Sequence, residues 1–346
     1  MFASPNESRI CKFAAGIVLI LVLMPLHASN AIFESRHIKA TGADGELAGT
    51  LLLPINEGQP FNTVLILPGS GPTDRDGNSP VGIAASTYRL LAEELAMLGV
   101  ASVRFDKRGL GGSINAGDGN DVSLESYADD VTSWLDAIDD IPEVSGNVWL
   151  VGHSEGALVA IIAAGRELTN VRALALLSAP GRKLGIVLRE QLASNPANTP
   201  ILAEAFSAIE MLERGNRVDP KTLHSGLRNL FNAPAQDYLT QLIRFDPAAA
   251  LKKLGDGDDP LPVLIVHGGR DIQVSTEDVR ALSKARPDAE LAIIADMNHV
   301  LKSVDHNNRE ANVAAYSNPE LPIVQNLVDI LAEFIDKTSR SHKPAK

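Results

Sequence analysis

The chain has 346 residues, ordinary apolar and charged fractions of 45% and 21%, and a formal net charge of −12. A chain of this length can bury a large core without a metal or a disulfide. Its acidity opposes binding to phosphate backbones, and with 4% aromatic residues it offers few rings on which bases could stack. These features argue against a nucleic-acid-binding protein.

The first 31 residues predict an export signal. Arg9 and Lys12 give a positive start, and the apolar run 13–26 has the length of a signal core but is short for a membrane span. Small residues precede a cleavage point after Ala31, so we expect an exported, periplasmic or secreted protein with no stable membrane association. The alternative is an uncleaved anchor in the inner membrane. Cys11 is the only cysteine and lies in this segment, so the mature chain would hold no disulfide.

After the signal, short apolar runs alternate with segments of helical periodicity. The predicted strands are 46–53, 63–67, 100–105, 148–151, 173–177, 262–266 and 291–294. The predicted helices are 88–98, 124–138, one that starts at Glu155, and 322–335. This alternation predicts an α/β fold whose mostly parallel sheet carries helices on both faces.

The alternation stops between residues 181 and 259, where the periodicity is helical throughout. The helical runs are 201–212, 223–231 and 238–243. Because the insertion follows the carboxyl end of a strand, it predicts a helical cap over a site; the alternative is a structural addition at the edge of the sheet. The predicted organisation is a signal at 1–31, a core at 32–180 and 260–336, the cap at 181–259, and a basic flexible tail at 337–346.

The sequence Gly152-His153-Ser154-Glu155-Gly156 fits the pattern G-x-S-x-G between a predicted strand and a predicted helix. This context is typical of a nucleophile elbow, in which a sharp turn exposes a serine hydroxyl. We therefore predict that Ser154 is a nucleophile, although a serine that only caps the helix would have the same flanking glycines.

A nucleophilic serine needs a base and a group that orients the base, and this pattern supplies them in the chain order serine, acid, histidine. His299 follows the last predicted strand by a short loop and is the predicted base. Asp271 follows the strand 262–266 and is the predicted acid. Asp296 is the alternative acid, but its position three residues before His299 suits a local hydrogen bond better. The other histidines after Ser154 and outside the cap, which are less suitably placed, are His267, His306 and His342.

Two backbone N–H groups are expected to stabilise an oxyanion. One is that of Glu155, which follows the nucleophile at a helix N-terminus. The other should come from the loop after the strand 63–67. Pro68 has no N–H, so Ser70 is predicted, with Gly69 and Gly71 as alternatives; the other interpretation is a glycine turn without a catalytic role.

Across residues 35–336 the chain resembles the α/β-hydrolase superfamily, and within it bacterial carboxylesterases of the serine-aminopeptidase-like type. The matching segments are L-P-G-S-G-P-T-D-R-D-G-N, F-D-K-R-G-L-G-G-S, G-H-S-E-G, F-D-P, P-V-L-I-V-H-G-G-R-D-I-Q-V, N-H-V-L-K and Y-S-N-P-E-L-P. The resemblance implies the α/β-hydrolase fold, the triad Ser154, Asp271 and His299, and an oxyanion hole at Ser70 and Glu155. It also implies that Asp106 and Arg108 brace loops. One departure is that Pro68 stands where many relatives have histidine, without the H-G-G-G run of one lipase group.

The expected function is hydrolysis of carboxylic esters through an acyl-enzyme on Ser154. We expect no cofactor and no metal, and a small-molecule ester as the partner; no oligomeric state is predicted. The apolar faces of the cap are expected to limit the acyl group to short or medium chains, through Phe206, Ile209, Leu223, Leu227 and Leu242. The alternatives are a thioesterase or serine aminopeptidase with the same triad, and a non-catalytic binding protein.

Overall fold

A computed structural model describes residues 33–55, 60–166, 168–257, 260–305 and 308–341. The predicted export signal lies outside these residues. The strands are β1 (Phe33–Gly42), β2 (Gly45–Pro54), β3 (Phe61–Leu67), β4 (Asn78–Ser79), β5 (Ile83–Ala84), β6 (Ala101–Phe105), β7 (Val144–His153), β8 (Val171–Leu177), β9 (Val263–Gly268) and β10 (Glu290–Ile294). The α-helices are α1 (Thr87–Met97), α2 (Leu124–Asp139), α3 (Glu155–Ala164), α4 (Leu184–Ser194), α5 (Leu202–Glu213), α6 (Gln236–Arg244), α7 (Pro247–Lys253), α8 (Thr276–Ala285), α9 (Arg309–Ala314) and α10 (Gln325–Ser341).

Eight strands form one sheet in the order β1-β2-β6-β3-β7-β8-β9-β10, and β4 pairs with β5 in a small separate hairpin. The strands from β6 to β10 in this order pair in parallel, whereas β1 and β2 are antiparallel. The predicted, mostly parallel α/β sheet is therefore confirmed. The carboxyl ends of β3, β7, β9 and β10 all meet at one edge, where parallel sheets of this kind bind ligands.

Strand β1 was not predicted from the sequence. It pairs with β2 along its whole length, from Phe33 opposite Pro54 to Gly42 opposite Gly45. Most of its side chains are partly or fully exposed at the edge of the sheet. Its sequence therefore lacks the apolar run that reveals a buried strand.

Apolar cores cover both faces of the sheet, and β7 illustrates how. Val148 and Leu150 pack in a core with helices α2, α3 and α8. Trp149 and Val151 point the other way, into a core with helices α1 and α10. All four side chains are inaccessible to solvent. This alternation is what a strand covered by helices on both faces requires.

The insertion between β8 and β9 contains helices α4 to α7 and no strand among residues 178–257. It has a core of its own, which includes Ile209, Leu212, Phe231 and Ile243. The last helix, α7, is different because its Leu251 packs in the core of the sheet. Tyr238 and Leu242 of α6 also pack against that core, so the predicted cap includes helices that pack with the sheet domain.

The predicted helical run 223–231 is wrong as a helix, because only a short 3₁₀ turn, Ser225–Leu227, forms there. Gly226 weakens helical propensity in its middle. The His224 side chain also accepts the N–H of Gly226, at 3.2 Å, and so closes a local turn instead of a helix.

The C-terminal helix α10 continues to Ser341, so the predicted start of a flexible tail at residue 337 is too early. The indole N–H of Trp149 donates to Thr338 Oγ1 at 2.7 Å, and a buried indole N–H needs such a partner. Residues 342–346 lie outside the described residues. No helix in the described part of the chain has the length and apolar character needed to span a membrane.

Candidate active site

Ser154 forms the turn between β7 and α3 with φ 54° and ψ −122°, a conformation that non-glycine residues rarely adopt. The turn is tight enough to need both glycines of the motif. A Cβ on Gly152 would lie 2.5 Å from the carbonyl oxygen of Gly156, and one on Gly156 would lie 2.2 Å from that of Leu67. The flanking glycines therefore allow close backbone approach, and the serine is left at the carboxyl end of the sheet.

The structure brings His299 and Asp271 together from the loops that follow β10 and β9. His299 Nδ1 donates to Asp271 Oδ2 at 2.8 Å, and the Asp271 side chain is inaccessible to solvent. The other carboxylate oxygen accepts the N–H groups of Gln273 and Val274, at 2.8 and 2.9 Å. Burial alone would raise the pKa of Asp271, but the His299 ring and these hydrogen bonds outweigh it and lower the pKa to about 2. An ionised Asp271 only accepts hydrogen bonds, so Nδ1 carries the proton and Nε2 is available as an acceptor.

Asp296, the alternative acid, forms a different contact. It is exposed, and its carboxylate accepts a hydrogen bond from Ser303 Oγ. Its carbonyl oxygen accepts the N–H of Val304 at 2.9 Å. Asp296 thus closes a local loop, whereas Asp271 is the carboxylate in contact with His299.

The loop after β3 passes next to Ser154. Ser70, Ser154 and Glu155 line one cavity, so the structure brings both predicted oxyanion residues to the predicted nucleophile. Of the two alternatives, the N–H of Gly69 already donates to the Tyr88 hydroxyl at 2.7 Å. That bond occupies the N–H of Gly69, so Ser70 is a better candidate than Gly69.

A hydrogen-bonded chain that the sequence did not reveal links this loop to the His299 loop. His153 Nε2 lies 2.7 Å from the carbonyl oxygen of His299, which can only accept, so Nε2 carries the proton. His153 Nδ1 must then accept, and the Tyr88 hydroxyl donates to it over 2.9 Å. The same hydroxyl accepts the N–H of Gly69. Burial lowers the pKa of His153 to about 3 and raises that of Tyr88, so both side chains remain neutral. Each hydrogen bond in this series therefore keeps the same donor and acceptor.

The side chain of Glu155, the residue after Ser154, forms a buried ion pair with Lys107. Lys107 Nζ lies 3.1 Å from Glu155 Oε1, and both side chains are 6% exposed. Burial opposes the charge on Lys107, yet the neighbouring Glu155 carboxylate raises the net pKa of the lysine. The ammonium also lies 4.7 Å from the ring centroid of Tyr127. Glu155 therefore places no uncompensated negative charge beside Ser154.

The neighbours of Lys107 in the F-D-K-R segment join loops. The Asp106 carboxylate accepts the N–H of Arg75 at 2.9 Å and that of Gly112 at 2.7 Å, and so connects the loops after β3 and β6. Arg108 pairs with the buried Asp130 through two nitrogens, at 2.9 and 2.6 Å. These contacts match the bracing role that the resemblance implied.

Two cavities meet at Ser154. The larger, of about 470 Å³, lies between Ser154 and the insertion; its apolar lining includes Leu158, Leu184, Val187, Leu242 and Val274. The smaller, of about 60 Å³, is lined by His299 and by polar side chains of Thr73, Thr87 and Tyr316. Ser70, Ser154 and Gln273 line both. Among the described residues, no cluster of three or more histidine, cysteine or acidic side chains could hold a metal.

Residues 64–315, most of the chain, match the alpha/beta hydrolase family. The chain belongs to this family. It is also 27% identical over 292 residues to esterase EstD from Thermotoga maritima, in a match that covers 81% of this chain and 63% of that protein. The chain therefore spans less than two thirds of that relative.

Solved structures agree on the fold of this alpha/beta hydrolase. Est1E from Butyrivibrio proteoclasticus has a TM-score of 0.53 at 18% identity, with 88% of this chain and 98% of that chain covered. The Pyrococcus furiosus esterase Pf2001 has a TM-score of 0.54 at 20% identity, with 89% and 91% covered.

Proposed function

We propose that this alpha/beta hydrolase cleaves carboxylic esters, with Ser154 as nucleophile, His299 as general base and Asp271 as the residue that orients the base. The observation that carries the proposal is the His299–Asp271 hydrogen bond of 2.8 Å in a site that the strained Ser154 also lines. A helix-capping serine would need neither a strained backbone nor an oriented imidazole at its side. A non-catalytic binding protein would not need them either.

In the first half-reaction, Ser154 Oγ attacks the ester carbonyl carbon while its proton passes to His299 Nε2. The negative oxygen of the tetrahedral intermediate accepts hydrogen bonds from the N–H groups of Glu155 and Ser70. Asp271 stabilises the imidazolium that forms. The bond to the alcohol oxygen then breaks, and His299 gives its proton to that oxygen, which leaves the acyl group on Ser154.

In the second half-reaction, a water molecule takes the place of the alcohol. His299 accepts a proton from the water, whose oxygen attacks the acyl carbon. The bond to Ser154 Oγ breaks, and the proton passes from His299 to the serine. The products are the carboxylic acid and free enzyme, so the cycle needs no external oxidant, metal or cofactor.

The lining of the larger cavity favours esters over aminoacyl substrates. A serine aminopeptidase must bind a free ammonium group, usually with a carboxylate. The two carboxylates at this cavity are already paired, Glu155 with Lys107 and Asp278 with Arg182, each at 3.1 Å. The remaining walls are largely apolar and suit an alkyl or aryl acyl group. The name of the Thermotoga relative, an esterase, agrees with this choice.

Ethyl esters of acetate, butyrate, octanoate and palmitate, followed by pH-stat titration, test the function and the chain length. A cavity of about 470 Å³ beneath the insertion should give the highest kcat/KM at butyrate or octanoate. Palmitate should be slower by about tenfold or more, because a chain that overfills a packed site is costly. A maximum at palmitate, or activation at an oil–water interface, would contradict the chain-length proposal.

The same preparation should react with a fluorophosphonate probe at Ser154, and it should cleave aminoacyl anilides and thioesters more slowly than ethyl butyrate. Faster cleavage of either would favour the corresponding alternative activity. Failure both to react with the probe and to hydrolyse any ester would favour the binding protein.

We also propose that residues 1–31 direct export and are removed. The support is the positive start at Arg9 and Lys12, the apolar run and the small residues before the cleavage point. After expression of the full gene in a bacterium, the intact mass of the exported protein should correspond to Ile32 as the first residue. Recovery of the full-length chain in the membrane fraction would support the uncleaved anchor instead.

A further inference from the structure

The two cavities that meet at Ser154 are lined by different members of the proposed catalytic machinery. His299 lines the cavity of about 60 Å³, whereas the cavity of about 470 Å³ is lined by Ser154, Glu155 and Ser70 without it. An ester bound to Ser154 must extend its two halves in different directions from the carbonyl carbon. The position of the histidine therefore distinguishes the two cavities chemically.

The inference rests on the proposed ester hydrolysis. In that reaction His299 gives its proton to the alcohol oxygen, which must lie within hydrogen-bond reach of Nε2. The alcohol half therefore lies on the histidine side of Ser154, and the acyl half lies on the other side. We propose that the small cavity is the alcohol subsite, and that the natural substrates are esters of methanol, ethanol or an alcohol of similar size with a larger apolar acid.

The size of the subsite supports this limit. Its volume of about 60 Å³ is about one eighth of the 470 Å³ of the larger cavity. We therefore expect a methyl or ethyl group to fit this space better than a butyl or benzyl group does. The larger cavity lies within the range of about 300–1,000 Å³ that is usual for ligand sites.

Two segments that pack on each other form one side of the small cavity. Ile83, from the hairpin of β4 and β5, and Tyr316 both line it. Both also pack against a small apolar cluster that includes Val300, the residue after the proposed base. Ser317 Oγ donates to the carbonyl oxygen of Gly82 at 3.2 Å and so joins the two segments.

Further contacts hold the Tyr316 segment in place. The Tyr316 hydroxyl accepts a hydrogen bond from Gln273 Nε2 at 2.9 Å. The ammonium of Lys302, a residue inaccessible to solvent, donates to the carbonyl oxygen of Asn318. The segments N-H-V-L-K and Y-S-N-P-E-L-P therefore both help to hold the wall of the alcohol subsite in position.

The test varies the alcohol at a constant acid. For methyl, ethyl, butyl and benzyl butyrate, we expect kcat/KM of the wild-type protein to fall by about tenfold or more between the ethyl and butyl esters. Tyr316→Ala and Ile83→Ala enlarge the small cavity from two different segments. Each should reduce the ratio of kcat/KM between the ethyl and butyl esters by about threefold or more. Tyr316→Phe keeps the volume of the wall and should keep the wild-type preference.

Leu242→Ala is the matched control, because Leu242 lines only the larger cavity. It should change the preference among ethyl esters of different acids and leave the alcohol preference as it is. If Tyr316→Ala and Ile83→Ala change the acyl preference instead, the two subsites are reversed and the proposal is wrong. A wild-type protein that hydrolyses all four butyrates equally well would also overturn it, while ester hydrolysis itself would stand. Should no ester be cleaved and no fluorophosphonate react, the proposed function would fail as well.

Discussion

Ser154→Ala is expected to lower kcat for ethyl butyrate by about a millionfold and to abolish fluorophosphonate labelling. Nucleophile and base act as one unit in such sites, so His299→Ala should have an effect of similar size. Alanine keeps the Cβ of serine at φ 54°, so the free energy of unfolding should change little. Steady-state kinetics and denaturant unfolding of the purified variants measure both effects.

Ser154→Gly is a useful companion variant. It should be equally inactive but more stable than the wild type by about 1–2 kcal/mol, because glycine adopts a positive φ without strain. Residual hydrolysis by Ser154→Ala at a tenth of the wild-type rate would show that another residue is the nucleophile.

Asp271→Asn is expected to lower kcat by about 10⁴-fold, as the loss of the orienting carboxylate does in other serine hydrolases. The asparagine amide can donate to Nδ1, which would move the ring proton to Nε2 and leave no base facing the serine. KM should change little, since Asp271 does not line either cavity. The measurement is kcat and KM for ethyl butyrate near neutral pH.

Asp296→Asn is the matched control for this variant. Asp296 is exposed and bonds to Ser303, so its loss should leave kcat within about twofold of the wild type, as is usual for surface changes. A near-normal Asp271→Asn beside an inactive Asp296→Asn would reverse the assignment of the acid.

Much of the sheet and of the proposed triad could be predicted from local patterns. Buried parallel strands appear as short apolar runs, as in 63–67 and 262–266, because both of their faces are covered. The glycines around Ser154 are visible in the sequence because only glycine permits the close backbone approach in that turn. Asp271 and His299 could be chosen because each follows a predicted strand, and parallel strands end at one edge.

Two exposed or irregular elements did not carry such patterns. β1 has mostly exposed side chains, so no apolar run marks it. The run 223–231 has helical spacing but forms a 3₁₀ turn, because local hydrogen bonding around Gly226 competes with the helix.

The sequence by itself indicated the family, the positions of most core strands along the chain and the candidate residues Ser154, Asp271 and His299, since each depends on patterns that are local in the chain. The tertiary structure alone decided the chain of hydrogen bonds through His153, whose partners Tyr88 and His299 lie 65 and 146 positions away. It also decided the sizes of the two cavities, because Ile83 and Tyr316 become neighbours only when distant segments pack together. Local periodicity reports which face of a segment is buried. It carries no information about which distant side chain packs against that face. Substrate selection depends on those long-range contacts, because they form the walls of the two cavities.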